Sequence, residues 1–131
     1  MSEKRVVRSE AAPAPFQGAP YSQAIVAGGL AFVSGQLGLA PGETTLEGKS
    51  IEEQTRQVLE NLKVILEQAG SGLGGLLKTT VFLADLADFA AMNGVYAEYV
   101  GAAPPARATV QVAELPSGAL VEIDEIGRAH V

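Results

Sequence analysis

The strongest periodicity in the chain runs from Ser50 to Ala69. Ile51, Thr55, Val58, Leu59, Leu62, Ile65, Leu66 and Ala69 recur there at the three- and four-residue spacing of one helical face. Ser50, with Glu53 three residues on, forms a capping-box pattern, and Gly70 suits the left-handed conformation that ends a helix. The opposite face carries Glu52, Arg56, Glu60, Lys63 and Glu67. Their alternating signs read as a solvated, internally paired surface rather than a docking surface. A second helix is expected after Asp85, which offers an N-cap. Phe89, Met92, Tyr96 and Val100 form its apolar face, and Gly101 with Pro104-Pro105 ends it.

Elsewhere the pattern is that of strands. Lys4 to Arg8 reads as a short first strand, followed by an Ala/Pro-rich covering loop from Ala11 to Pro20. Tyr21–Ala27 and Leu30–Leu37 flank Gly28-Gly29, a pair suited to the positive φ angles of a tight turn, and so predict a β-hairpin. Leu76 to Ala84, rich in Thr, Val and Phe, predicts a central strand. Arg107–Val112 and Leu120–Ile126 predict two more, joined by a loop containing Pro116-Ser117-Gly118 and taken here as a hairpin. Three strands, a helix, a strand, a helix and two strands fit an α+β domain: a mixed sheet with two helices on one face. The uncovered face of that sheet then needs another subunit, which predicts a homo-oligomer.

Composition narrows the function. The chain has 131 residues, which predicts a single domain over 1–131. No apolar run approaches the roughly 20 residues of a membrane span. The N-terminal stretch lacks the apolar core of a secretory signal, so a cytoplasmic location is expected. Cysteine is absent, which removes disulfides and thiolate chemistry. The one histidine, His130, sits beside the C-terminus and reads as a tail residue rather than a catalyst. No metal site is expected. A net charge of −6 with nine scattered basic residues works against nucleic-acid binding.

Two polar constellations remain as candidate chemistry. Arg107, Thr109 and Gln111 share one face of their strand, so an arginine projects from an apolar setting. Its planar guanidinium either holds a carboxylate in a bidentate grip or forms an intersubunit salt bridge. Glu122 and Asp124 share a face between Val121 and Ile123. They are either acid–base groups with raised pKa values or the wet side of an alternating edge strand. Whether the Arg107 and Glu122 faces coincide depends on hairpin register. Tyr21, Ser34, Gly35 and Gln36 form a second polar group near the first hairpin. Asn93 interrupts the apolar face of the second helix, to reach a ligand or to satisfy buried backbone.

Six strings together resemble one family: Pro20-Tyr-Ser-Gln-Ala24, Phe32-Val-Ser-Gly-Gln36, Glu53-Gln-Thr-Arg-Gln-Val-Leu-Glu-Asn-Leu62, Lys78-Thr-Thr-Val-Phe82, Pro105-Ala-Arg-Ala-Thr109 and Val121-Glu-Ile123. In order and spacing, from about Lys4 to Ile126, they resemble the RidA (YjgF) family of reactive-intermediate deaminases. The resemblance implies a chorismate-mutase-like α+β fold, a homotrimer with sites between subunits, and no cofactor. It also implies hydrolysis of enamines and imines of the 2-aminoacrylate type to 2-keto acids and ammonia. Carried onto this chain, Arg107 would bind the substrate carboxylate and Glu122 would position and activate water. Tyr21, Ser34, Gly35, Asn93 and Thr109 would line the pocket.

The chain departs from the family pattern at three places. Thr109 stands where many members have cysteine, the entrance Phe16-Gln-Gly-Ala-Pro20 is slightly long, and Asp124-Glu-Ile-Gly-Arg128 replaces a more apolar stretch. The alternatives to an imine hydrolase are a non-catalytic trimeric regulator that binds a small carboxylate and, more remotely, a ribonuclease. Acidic charge and the lack of a useful histidine speak against the ribonuclease.

Overall fold

The computed structural model describes residues 3–129, so the expectation for His130 lies outside the described residues. Six strands form one sheet: β1 (Arg5–Val7), β2 (Ala24–Ala27), β3 (Leu30–Gln36), β4 (Leu76–Leu83), β5 (Ala106–Gln111) and β6 (Val121–Arg128). Two helices, α1 (Ile51–Gln68) and α2 (Phe89–Val100), fall between β3 and β4 and between β4 and β5. The spatial order is β1-β2-β3-β6-β4-β5. β4 and β5 are parallel, and every other neighbouring pair is antiparallel. This is the expected mixed sheet with two helices on one face.

Local signals explain most boundaries. Gly28 and Gly29 take φ of 57° and 77°, the two successive positive values that a tight turn matched to strand twist requires. At the start of α1, Ser50 Oγ accepts from Glu53 N while the Glu53 carboxylate accepts from Ser50 N, a reciprocal cap. Every residue of the expected apolar face of α1 is buried. Val58, Leu59, Leu62, Ile65 and Leu66 pack in one core with Val81 and Leu83 of β4, Val121 and Ile123 of β6, and Met92 of α2. The Asp85 side chain accepts from Ala87 N at 2.8 Å, capping a 3₁₀ turn that leads into α2 at Phe89.

Four expectations are corrected. β5 and β6 are not a hairpin: β4 lies between them. The α2 crossover carries the chain back to lie parallel to β4, and β6 then fills the gap between β4 and β3, where it gains ladder bonds on both sides. β6 is therefore interior, and the edge-strand reading of Glu122 and Asp124 fails. The charged face of α1 is tied to α2 rather than paired within itself. Arg56 makes two bonds to the Glu98 carboxylate, and the Tyr99 hydroxyl donates to Glu60 at 2.8 Å. Lastly, Phe89 is 42% exposed rather than packed into the core, because it sits over the outer strand at the margin of the sheet.

Buried polar side chains fix the loops. Asn61 Nδ2 donates to the carbonyls of Leu37 at 3.2 Å and Leu39 at 2.8 Å, holding the segment after β3 against α1. The Gln54 amide accepts from Leu120 N and donates to the Lys49 carbonyl. Gln23 accepts from Ser9 N and donates to the carbonyls of Ser9 and Pro13, pinning the covering loop. No helix among the described residues is long and apolar enough to cross a membrane.

Candidate functional site

Strand register decides which polar groups meet. Paired residues on adjacent strands point to the same face, so the pairs Phe82↔Glu122 and Phe82↔Val110 put Glu122 on the open face, away from the helices. Between Val33 and Gln36 the β3–β6 register slips: three steps along β3 oppose two along β6, from Glu125 to Ile123. Such a bulge re-aims side chains. Here it brings Ser34 and Gly35 beside Glu122. A methyl group on Gly35 would overlap the Glu122 carboxylate, with Cδ only 2.9 Å away, so glycine is what lets the acid lie flat on the strand.

Tyr21 joins them from the entrance segment. Its hydroxyl accepts from Phe16 N at 2.6 Å, and the Ser34 hydroxyl donates to the Ser22 carbonyl at 2.6 Å, so strand and segment are stitched together. Phe16, Tyr21, Ser34, Gly35, Leu37 and Glu122 line a cleft of about 340 Å³. Burial pushes the Glu122 carboxyl above its usual range, with the charge of Asp124 adding to the effect. A half-buried acid of raised pKa facing a cleft is equipped to exchange protons with a bound molecule.

Arg107 belongs elsewhere. It pairs with Thr79, as does Glu125, and all three face the helices. Its guanidinium carbon lies 4.8 Å from the Tyr96 ring centroid and 5.5 Å from that of Phe89, both on α2. Such contacts orient a cation without neutralising it. No carboxylate pairs with Arg107 among the described residues. Asn93 lies on the same helical face, four residues after Phe89 and three before Tyr96. Its Oδ1 and the Oγ1 of Thr109 are buried without hydrogen-bond partners among the described residues.

The seven residues singled out in the sequence thus fall into two groups. Tyr21, Ser34, Gly35 and Glu122 come together on the open face; Arg107, Asn93 and Thr109 gather along β5 and α2 on the helix-covered face. Gln36, read with the first group, instead turns its buried side chain back toward the Ser34 carbonyl. Sequence reasoning names Phe16 only as the start of the entrance segment, without its Tyr21 contact, and misses the Tyr96–Thr79 pair, whose hydroxyls lie 2.7 Å apart beneath Arg107. In the sequence Tyr96 reads only as part of the apolar face of the second helix. Its hydroxyl was the available signal, since a buried tyrosine needs a partner.

Known proteins match this chain over nearly its whole length. The family model described as endoribonuclease L-PSP matches residues 10–129. The RutC family protein PH0854 of Pyrococcus horikoshii is 50% identical over 123 residues, 94% of this chain and 96% of that one. The chloroplastic Reactive Intermediate Deaminase A of Arabidopsis thaliana is 49% identical over 122 residues, covering 93% of this chain and 64% of that one. A protein of Capra hircus named 2-iminobutanoate/2-iminopropanoate deaminase is 42% identical over 123 residues, 94% of this chain and 88% of that one. Among solved structures, one titled a putative endoribonuclease L-PSP from Entamoeba histolytica superposes with a TM-score of 0.89 at 47% identity, covering 96% of this chain and 99% of that one.

Proposed function

The chain belongs to the YjgF/RidA family, and we propose that it hydrolyses small carboxylate-bearing imines and enamines, of the 2-iminopropanoate/2-aminoacrylate type, to 2-keto acids and ammonia. The observation that carries the proposal is Glu122: a half-buried carboxyl of raised pKa, held by Gly35 at the wall of a cleft. Relatives named as deaminases at 42% and 49% identity support the substrate class.

The reaction asks little of the protein. An iminium carbon is already electrophilic, so orientation, a placed water and a proton carrier suffice. An enamine first gains a proton from solvent at its terminal carbon, which gives the iminium. Glu122 takes a proton from water as its oxygen bonds to the iminium carbon, then returns that proton to the nitrogen. The carbon–nitrogen bond breaks as the remaining hydroxyl proton passes to the departing ammonia, which leaves a carbonyl and ammonium. Arg107 holds the substrate carboxylate through two parallel N–H bonds, with Asn93 and Thr109 supplying neutral polar contacts beside it.

One chain holds the two groups on opposite faces, so the complete site is intersubunit. The β5–α2 margin of one copy would lie on the open face of the next. Two different patches in contact make a head-to-tail interface, which forms a ring where the rotation between copies closes. A closed ring of three copies is the homotrimer we propose. The exposed Phe32 and Val110 on the open face provide apolar area for this contact.

The decisive assay generates 2-aminoacrylate with a serine or threonine dehydratase and follows keto-acid release with and without the protein. Acceleration over spontaneous hydrolysis is expected, and its absence for every amino-acid-derived imine would end the proposal. Binding of a keto acid without turnover would point to a carboxylate-binding regulator instead.

A further inference from the structure

Along the helix-facing side of β6, Val121 and Ile123 enter the core, and the next place in that series belongs to Glu125. Its side chain is 2% exposed, and neither carboxylate oxygen has a hydrogen-bond partner among the described residues. An acid in a slot built for an aliphatic residue is costly to keep and asks for a role. Register gives its surroundings: Val33, Glu125, Thr79 and Arg107 form one row across β3, β6, β4 and β5, all facing the helices. Tyr96 lies over the row, its hydroxyl on Thr79 and its ring under the Arg107 guanidinium.

We propose that Glu125 is a positioning residue for the Arg107 carboxylate grip, acting through Thr79 and Tyr96 and tuning how strongly Arg107 holds an anion. The inference rests on the reading of Arg107 given above. While the Glu125 carboxyl is neutral, Arg107 is the only ion in the row and its attraction is free for a bound carboxylate. Once ionised, Glu125 acts on Arg107 in two ways. It accepts a hydrogen bond from Thr79, a neighbour with Cβ about 5 Å away, which makes Tyr96 the donor to Thr79 and its ring a stronger partner for the guanidinium. It also sets a negative charge roughly 10 Å from the anion site, where the field at an effective dielectric near 20 corresponds to about tenfold in affinity.

Burial pushes the Glu125 carboxyl up to about 8, so this change of state falls close to neutral pH. The groups around it are few. β3 contributes Val33, β4 Thr79 and α2 Tyr96, while the buried side of α1 is uncharged. Asp124, on the opposite face, raises the Glu125 carboxyl further, and Arg107 stands at the far end of the row.

The test is calorimetric titration of the assembled protein with pyruvate from pH 6.5 to 9.5, in buffers of differing ionisation enthalpy. The wild type should lose roughly tenfold in affinity as pH rises through about 8, and should take up protons on binding there, since linkage is reciprocal. Glu125→Gln should keep the tight, low-pH affinity throughout and take up none. An identical pH profile and proton uptake in wild type and Glu125→Gln would overturn the role of Glu125 while leaving the carboxylate site intact. Undiminished pyruvate binding by Arg107→Ala would overturn the grip itself, and this inference with it. Should Glu125→Gln not fold, Glu125→Ala replaces it, and absence of proton uptake by the wild type near pH 8 is itself disproof.

Discussion

Arg107 and Glu122 point to opposite faces of the same sheet, two strands apart and three residues out of register. That is a separation of roughly 10 Å both across and along the strands. A small substrate touching both must bridge two chains. Mixing Arg107→Ala and Glu122→Gln subunits, each inactive alone, should therefore restore activity. With random assembly, about a quarter of the sites combine an intact arginine from one chain with an intact glutamate from its neighbour. Co-refolded mixtures assayed for keto-acid release check this, and no recovery would mean that both residues act from one chain.

Glu122→Gln keeps the shape of the cleft and removes the proposed proton carrier. The expected loss in kcat is roughly 10²- to 10⁴-fold with little change in KM. Because Glu122 must be ionised to accept a proton from water, wild-type activity should fall on the acid side. The falling limb should lie above the 4.5 of an ordinary glutamate, since burial disfavours the charged form. A pH–rate profile that stays flat down to 4.5 would contradict the assignment.

Gly35→Ala places a methyl group against the Glu122 carboxylate. The backbone at Gly35 does not adopt positive φ, so the cost arises from overlap alone. Overpacking of this kind costs about 1–3 kcal/mol. The easiest relief is rotation of Glu122 out of place, so activity should drop at least tenfold while the urea midpoint moves modestly; wild-type kinetics would refute the contact.

Asn61 reaches from α1 to two carbonyls of the segment that follows β3. Asn61→Ala leaves both buried acceptors without that donor, which costs about 1–3 kcal/mol. Leu37 lines the cleft beside Glu122, so the variant should also raise KM. Denaturation and steady-state kinetics on one preparation measure both effects.

Glu125 makes stability depend on pH. Its folded-state pKa of about 8 lies above the 4.5 expected when unfolded, so the folded state holds a proton that the unfolded state has lost. The stability tied to that proton is complete below 4.5 and is lost as pH rises through about 8. Several kcal/mol are at stake. The wild type should weaken relative to Glu125→Gln between pH 5 and pH 9, and parallel urea midpoints across that range would refute it.

Much of this was legible in the chain because its signals are local. The α1 stripe, the Ser50–Glu53 cap and the Gly28-Gly29 turn each depend on neighbours within a few residues, and all three stand as expected. The family strings were equally local, and they named the residues of both proposed half-sites. Glu125 stands out in the sequence only as part of an unusually polar stretch, because alternation alone does not tell an outer strand from an inner one.

What the sequence determined by itself was therefore the elements, the helix-covered face and the identity of the polar residues. Only tertiary structure decided that β6 enters between β3 and β4, that Glu122 and Arg107 look away from each other, and that Glu125 is buried in line with Arg107. The reason is physical. A strand's alternation states which residues share a face, but not which face it is or which strand lies alongside; those follow from pairings between segments far apart in the chain, settled when the whole sheet closes its hydrogen bonds and covers its core.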